Sequence, residues 1–430
     1  MLRARQANLG PVRPIARVAS CEPPFHLVEN LTQIHQKSSK KPITQCEPGV
    51  TSRYSKGGYT ERLKVKIKAA VLDEVGKDFR IAEVELDKPK SGEILVKVAA
   101  SGLCASDLNA IDGKRKLVPF PAVIGHEASG IVQEVGPDVN GIQIGDHVVM
   151  SIVPNCGNCE WCNRGVPNYC ATAGEAMSVG GLFDRTSRLT ENGEHLNQFL
   201  CVASFAEYAV VPASGAVVIP KEMPLDRAAL LSCAVLTGYG AVVNTANVKS
   251  GSSVAVFGCG GVGLNSVQGA RLVGAKTIIA VDISDEKLEL AKKLGATHTV
   301  NAAKEDPVAY VKAVCGGADY VFDASGREAT ISQAWLATGV QGQLTLVGLL
   351  KNGAQLTIDA GPFVNEQSIK GCYFGSANLQ KDVISLVKSY LSGELFLDEL
   401  ISERIGLGGL NEAFNRLRAG EGARNVLVFD

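Results

Sequence analysis

The stretch "SVAVFGCGGVG", residues 253–263, is an apolar run that passes directly into a glycine-rich turn. Gly258, Gly260 and Gly263 stand in G-x-G-x-x-G spacing, and "GVGLNSVQGARLVGA" continues from Gly261 with helical spacing of its apolar residues. In such a turn the first glycine permits the sharp bend, the second lets backbone approach a pyrophosphate, and the third lets helix and strand pack closely. The helix N-terminus adds amide donors and the positive end of its dipole. The next apolar run, "TIIAVD", ends on Asp282, nineteen residues after Gly263. A carboxylate there can hydrogen-bond both ribose hydroxyls and repel a 2′-phosphate, which favours NAD over NADP. An ordinary strand-to-helix turn has the glycines without this context of strand, helix and acid.

Outward from this turn the texture is regular. "DEKLELAKKLGA", "YVFDAS" and "QLTLVGLL" alternate helix with buried strand between about residues 240 and 370. That pattern predicts a parallel, doubly wound α/β sheet. Upstream, from residue 66 to about 155, short strands ("KAAVL", "EILVKVAA", "ASGIVQEVG", "DHVVMSI") broken by Gly, Pro and Asp predict an all-β region. Beyond residue 375 come two amphipathic helices and a last strand, "NVLVF".

The bulk properties bound the function. A chain of 430 residues with 46% hydrophobic residues can bury two domain cores. A formal net charge of -1 argues against a nucleic-acid binder. No apolar run approaches the length of a membrane span. Residues 1 to about 60 lack apolar periodicity, and Arg3, Arg5, Arg13 and Arg17 precede the first acid, Glu22. This segment reads as an organelle transit peptide, a disordered basic tail or a misassigned start, so the cytoplasm and an organelle such as the mitochondrion both stay open.

Cys156, Cys159, Cys162 and Cys170 follow C-x2-C-x2-C-x7-C in "NCGNCEWCNRGVPNYC". Twelve cysteines in the whole chain is far below the density of a disulfide scaffold. Four thiolates on one short loop instead close a tetrahedral zinc shell with no open position, a structural site. A catalytic zinc needs fewer protein ligands and one open position. Cys104 in "GLCASD", His126 and Glu127 in "GHEASG", and Cys233 in "LLSCAVLTGYG" are the candidates.

This ordered set, taken with the glycine turn and Asp282, resembles the zinc-dependent medium-chain alcohol dehydrogenases over residues 66 to 430. The segment from about 171 to 204 resembles the longer subgroup that includes glutathione-dependent formaldehyde dehydrogenases. The resemblance implies an N-terminal extension over 1–65 and a β-rich, GroES-like catalytic domain with the zinc lobe over 66–236. A Rossmann NAD-binding domain would span 237–374, with a return to the catalytic domain over 375–430. It implies two zinc ions per chain, NAD as cofactor, a small alcohol or aldehyde as substrate, and a homodimer or homotetramer.

By the same resemblance Cys104, His126 and Cys233 would hold the catalytic zinc, and Ser106 would pass the alcohol's proton onward. Asp107 and Glu127 would stand behind the ligands, Asp107 orienting the imidazole. Gly258, Gly260, Gly261, Val262 and Gly263 would cradle the cofactor, with Thr237 and Val262 against the nicotinamide. Asp282 and Lys287 would reach the adenosine ribose, Arg424 the pyrophosphate, and Ile152 would line an apolar substrate slot. Two positions depart from the family. Ala105 stands where a cation often touches cofactor phosphate, and Asn109 where a histidine often completes the proton relay. An amide cannot titrate near pH 7, so the proton would leave through water or the ribose hydroxyl.

Lys114, Arg115 and Lys116 in "GKRKLVPF" make a basic loop near the expected substrate mouth, either a solvated surface or a contact for anionic substrates. The expected activity is reversible, NAD-linked oxidation of a primary or secondary alcohol. S-(hydroxymethyl)glutathione dehydrogenase is the near alternative, and a non-catalytic nucleotide-binding scaffold the distant one.

Overall fold

A computed structural model describes residues 64–429. The expected targeting or disordered extension falls outside them, apart from its last residues.

The cofactor half is built on six parallel strands: Ser253–Phe257, Thr277–Asp282, His298–Asn301, Ala318–Asp323, Thr338–Leu346 and Ser368–Gly371. In space they run third, second, first, fourth, fifth, sixth, so the order reverses beside the first strand. A ligand crevice opens at such a reversal, outside the carboxyl ends of the strands. Helices Gly261–Leu272, Asp285–Lys293, Pro307–Cys315 and Glu328–Ala337 lie in the connections. Alternate residues of Ser253–Phe257 serve opposite faces. Val254 and Val256 join the core that holds Leu264 and Val267, whereas Ala255 and Phe257 join Val311 and Trp335. Both faces are covered, which is why this strand reads as an unbroken apolar run.

The catalytic half combines a seven-stranded sheet with a small closed barrel. Strand Glu93–Gly102 is the hub of the sheet, pairing with Glu127–Val135, Tyr208–Pro212 and the late strand Arg424–Val428. The all-β expectation for residues 66 to 155 meets an exception, because Ala105–Ile111 is a helix. Cys104 is its N-cap, and Asp107 at the third helical position accepts the Cys104 backbone N–H at 2.9 Å. An acid so placed satisfies an otherwise orphaned donor. At seven residues the helix is too short to advertise a helical period.

The two halves meet along a helix that Cys233 caps, Ala234–Gly240, which continues into a π-helical turn, Ala241–Thr245. The boundary expected between 236 and 237 falls inside it. A side chain at Gly238 would collide with the Val262 carbonyl, so this helix presses directly on the one that opens at the glycine turn. Among the described residues, no helix is long and apolar enough to cross a membrane.

Candidate active site

Local backbone places each donor. His126 follows Gly125, whose φ of +91° and contact with the Phe205 ring exclude any side chain. Cys104 and Cys233 stand at helix N-caps contributed by distant parts of the chain. The donor atoms of Cys104, His126, Glu127 and Cys233 lie within 4.8 Å of one another, and all four residues are buried. Asp107 organises two of them. Its Oδ1 is 2.8 Å from His126 Nδ1, and its Oδ2 takes the Cys104 amide. His126 Nε2 is left buried without a hydrogen-bond partner among the described residues. A buried, unpartnered ring nitrogen beside two thiols is costly unless it binds something. Two sulfurs and an imidazole suit zinc.

Charge within the group is uneven. The Cys233 thiol donates to Cys104, and with Arg424 and His126 alongside, the Cys104 thiol is held well below its ordinary pKa. Cys233, as the proton holder, is pushed up. Burial raises the Glu127 carboxyl to about 8 despite the Arg424 guanidinium. The Glu127 carboxyl, expected behind the ligands, lies within 4.8 Å of their donor atoms. Among the described residues both of its oxygens lack hydrogen bonds, and Oε1 lies 3.4 Å from Arg424 Nη2. Ser106 Oγ is 3.8 Å from the Cys104 sulfur, on the same helix as Asn109.

The glycine turn fits a dinucleotide. Any side chain at Gly263 would run into the Gly258 carbonyl, whereas one at Gly260 would meet nothing within 4 Å. The first position enforces close packing, and the second leaves backbone open to an approaching ligand. Asp282 accepts the backbone N–H groups of Cys259 at 2.7 Å, Ile283 at 2.8 Å and Ser284 at 3.0 Å, which fixes its carboxylate at the strand end. Lys287 lies in the first turn of the following helix.

Arg424 joins the two sites. Its guanidinium packs over Gly261, so closely that a side chain there would overlap it. It also donates to the Leu103 carbonyl at 2.6 Å and faces Glu127. The expected pyrophosphate contact and a direct neighbour of the metal donors are thus one residue. Spacing could not reveal this second role.

The four lobe cysteines also gather, with their sulfurs within 4.8 Å of one another. Cys159 and Cys162 sulfurs are 3.5 Å apart and Cys159 and Cys170 4.0 Å, well beyond a disulfide bond of about 2.05 Å. Cys170 sulfur accepts the Cys156 amide at 3.3 Å. All ten cysteines among the described residues are free.

Thr237 and Ile152 are buried, Thr237 donating its amide to the Cys233 carbonyl at 2.8 Å. The basic loop divides. Lys114 pairs with Asp112 at 2.9 Å and Lys116 is exposed, while partly buried Arg115 reaches the Leu350 carbonyl at 3.0 Å. Two aromatic residues escaped the sequence reading. Tyr169, next to Cys170, packs against Tyr373 with ring centroids 5.2 Å apart and planes tilted by 38°. Their one signal was position, since Tyr373 follows the last parallel strand, where ligands of such sheets bind.

Comparison with known proteins agrees with this arrangement. Residues 90–221 match the alcohol dehydrogenase GroES-like domain, and 261–389 the zinc-binding dehydrogenase domain. The chain is 38% identical to the NDMA-dependent alcohol dehydrogenase of Amycolatopsis methanolica, over 85% of this chain and 99% of that one. It is 35% identical to a class-3 alcohol dehydrogenase of Cereibacter sphaeroides, over 85% and 100%. Among solved structures it is similar to benzyl alcohol dehydrogenase from Acinetobacter calcoaceticus (TM-score 0.81, 34% identity, 85% of this chain and 100% of that one). An alcohol dehydrogenase zinc-binding domain protein from Burkholderia ambifaria gives 0.82 at 36%, with the same coverage. With buried thiols and an imidazole poised beside a dinucleotide turn, and relatives matched over their whole length, the chain belongs to the zinc-dependent medium-chain alcohol dehydrogenase family.

Proposed function

We propose that the protein catalyses NAD-linked oxidation of a primary or secondary alcohol to its aldehyde or ketone, reversibly. One zinc would be held by Cys104, His126 and Cys233, and a second by the four-cysteine lobe. The observation that carries this reading is the shared Arg424, which touches the glycine turn on one side and faces Glu127 of the donor group on the other. Hydride transfer needs cofactor and substrate held adjacent, and one buried side chain in contact with both sites supports that.

Bound zinc would supply Lewis acidity that stabilises an alkoxide near neutral pH, and bound NAD would supply a hydride acceptor. The chain's own residues do the rest. Asp107 fixes the His126 tautomer through Nδ1 and leaves Nε2 free for the metal. Ser106, whose Oγ lies 3.8 Å from the Cys104 sulfur, would take the proton from an alcohol held there. From Ser106 the proton leaves without a titrating side chain at Asn109. Asp282, immobilised by three amides, accepts from the adenosine ribose. Arg424, 3.4 Å from the Glu127 carboxyl, would offset the charge of the Cys104 thiolate and of the pyrophosphate.

The test is a panel of alcohols with NAD and NADP, together with metal analysis. Turnover with NAD, and zinc at one equivalent per donor group, is the expected result. Absence of NAD reduction with every alcohol, despite full zinc, would overturn it. Glutathione with formaldehyde belongs in the panel, because a class-3 relative matches over its full length.

A further inference from the structure

The basic loop contains one residue that differs from its neighbours. Arg115 is partly buried, and its side chain leaves the catalytic half to bond the Leu350 carbonyl. Leu350 lies just beyond the carboxyl end of strand Thr338–Leu346, whose parallel neighbour Ser368–Gly371 leads into Tyr373. Both segments therefore stand at the ligand-binding edge of the sheet. Tyr373 is fixed from two directions. Asn168 of the cysteine lobe donates to its carbonyl at 3.2 Å, and the turn that follows it packs on the helix capped by Cys233. The Tyr373 hydroxyl is pushed up to about 12, chiefly by burial and then by the neighbouring Cys233 and Tyr169, with Arg115 pulling the other way. Tyr373, with Tyr169 against it, and Leu350, which anchors Arg115, thus follow adjacent parallel strands, and the turn after Tyr373 packs on the helix that Cys233 caps.

Arg115 has spare capacity. The guanidinium carries five N–H donors, of which one is committed, to Leu350, among the described residues. It forms no ion pair among those residues, unlike Lys114, which Asp112 neutralises. A partly buried cation without a counter-ion among the described residues, at the same sheet edge as a tilted aromatic pair, can receive a planar anion.

We propose that Arg115 is a specificity-determining residue that selects alcohols carrying a carboxylate. Tyr169 and Tyr373 stack against the ring or chain that separates the carboxylate from the carbinol. This rests on the dehydrogenase reading above and names its substrate class.

Two isosteric alcohols test it: 4-(hydroxymethyl)benzoate, and 4-(hydroxymethyl)benzamide, which keeps the planar shape without the charge. The KM for the carboxylate should be lower by about tenfold or more, the scale of one charge-assisted pair. Arg115→Gln should bring the ratio towards one, and Arg115→Lys should keep part of it. A purely structural Arg115 would raise both KM values alike and leave the ratio intact. Calorimetric binding of the unreactive pair 4-methylbenzoate and 4-methylbenzamide should give the same preference. Equal KM values in the wild type, or a preference that survives Arg115→Gln, would overturn the proposal while benzyl alcohol turnover leaves the dehydrogenase reading standing. If no alcohol, benzyl alcohol included, reduces NAD, both fall together.

Discussion

The described residues hold two clusters of candidate metal donors, and they are made differently. The lobe draws all its donors from fifteen consecutive residues, held by backbone amides and short helices near the surface. The other gathers Cys104, His126 and Cys233 from three distant segments and buries them among Asp107, Glu127 and Arg424. A set of four thiolates saturates a tetrahedral ion and leaves nothing for a substrate. Two thiols and an imidazole, oriented by carboxylate and guanidinium, leave a position to fill. Local closure suits a clamp, whereas assembly from distant segments lets neighbouring charges tune a reactive centre.

The largest effect should come from Cys104→Ser. Turnover should fall by roughly three orders of magnitude or more, on the scale of losing the central stabilising group of a site. Zinc should drop by one equivalent while the melting temperature changes little. Cys159→Ser should do the reverse and cost about 3 kcal/mol or more of stability, as expected when a structural metal is lost. Retained zinc and unchanged melting in Cys159→Ser would erase the contrast between the clusters.

Asp107→Ala comes next. With the imidazole and the Cys104 amide both released, zinc affinity at the buried site should fall roughly 10–100-fold. Chelator competition followed by zinc release would measure it, and the lobe zinc should be unaffected. The smallest effect is expected from Asp282→Gly in the other half. It should raise KM for NAD and narrow the gap to NADP by about tenfold or less, since the carboxylate is only partly buried. Zinc content should not move. Equal use of both cofactors by the wild type would remove the role given to this residue.

Legibility in the sequence followed distance along the chain. The glycine turn, its flanking strand and helix, and the lobe were readable because each is written within a few dozen residues with its own period or spacing. The helix Ala105–Ile111 was not, being shorter than two turns. Cys104, His126 and Cys233 could be joined only through family resemblance, since no local pattern connects segments so far apart. Arg424 touching both sites and the Tyr169–Tyr373 contact depend on tertiary approach, which leaves no trace in spacing. Arg115 was one of three adjacent cations until the fold gave it a different environment from the other two.

Arg424 carries one further consequence, for the order in which the protein is made. It lies on strand Arg424–Val428, which pairs with the end of Glu93–Gly102, and its guanidinium bonds the carbonyl of the residue just before Cys104. A ribosome delivers both cysteines, the histidine and Glu127 long before it delivers this strand. Until then the Cys104 thiol and the Glu127 carboxyl stand without the cation that faces them in the finished fold, and burial there favours their neutral forms. The lobe, complete within its own short loop, waits for no such late partner.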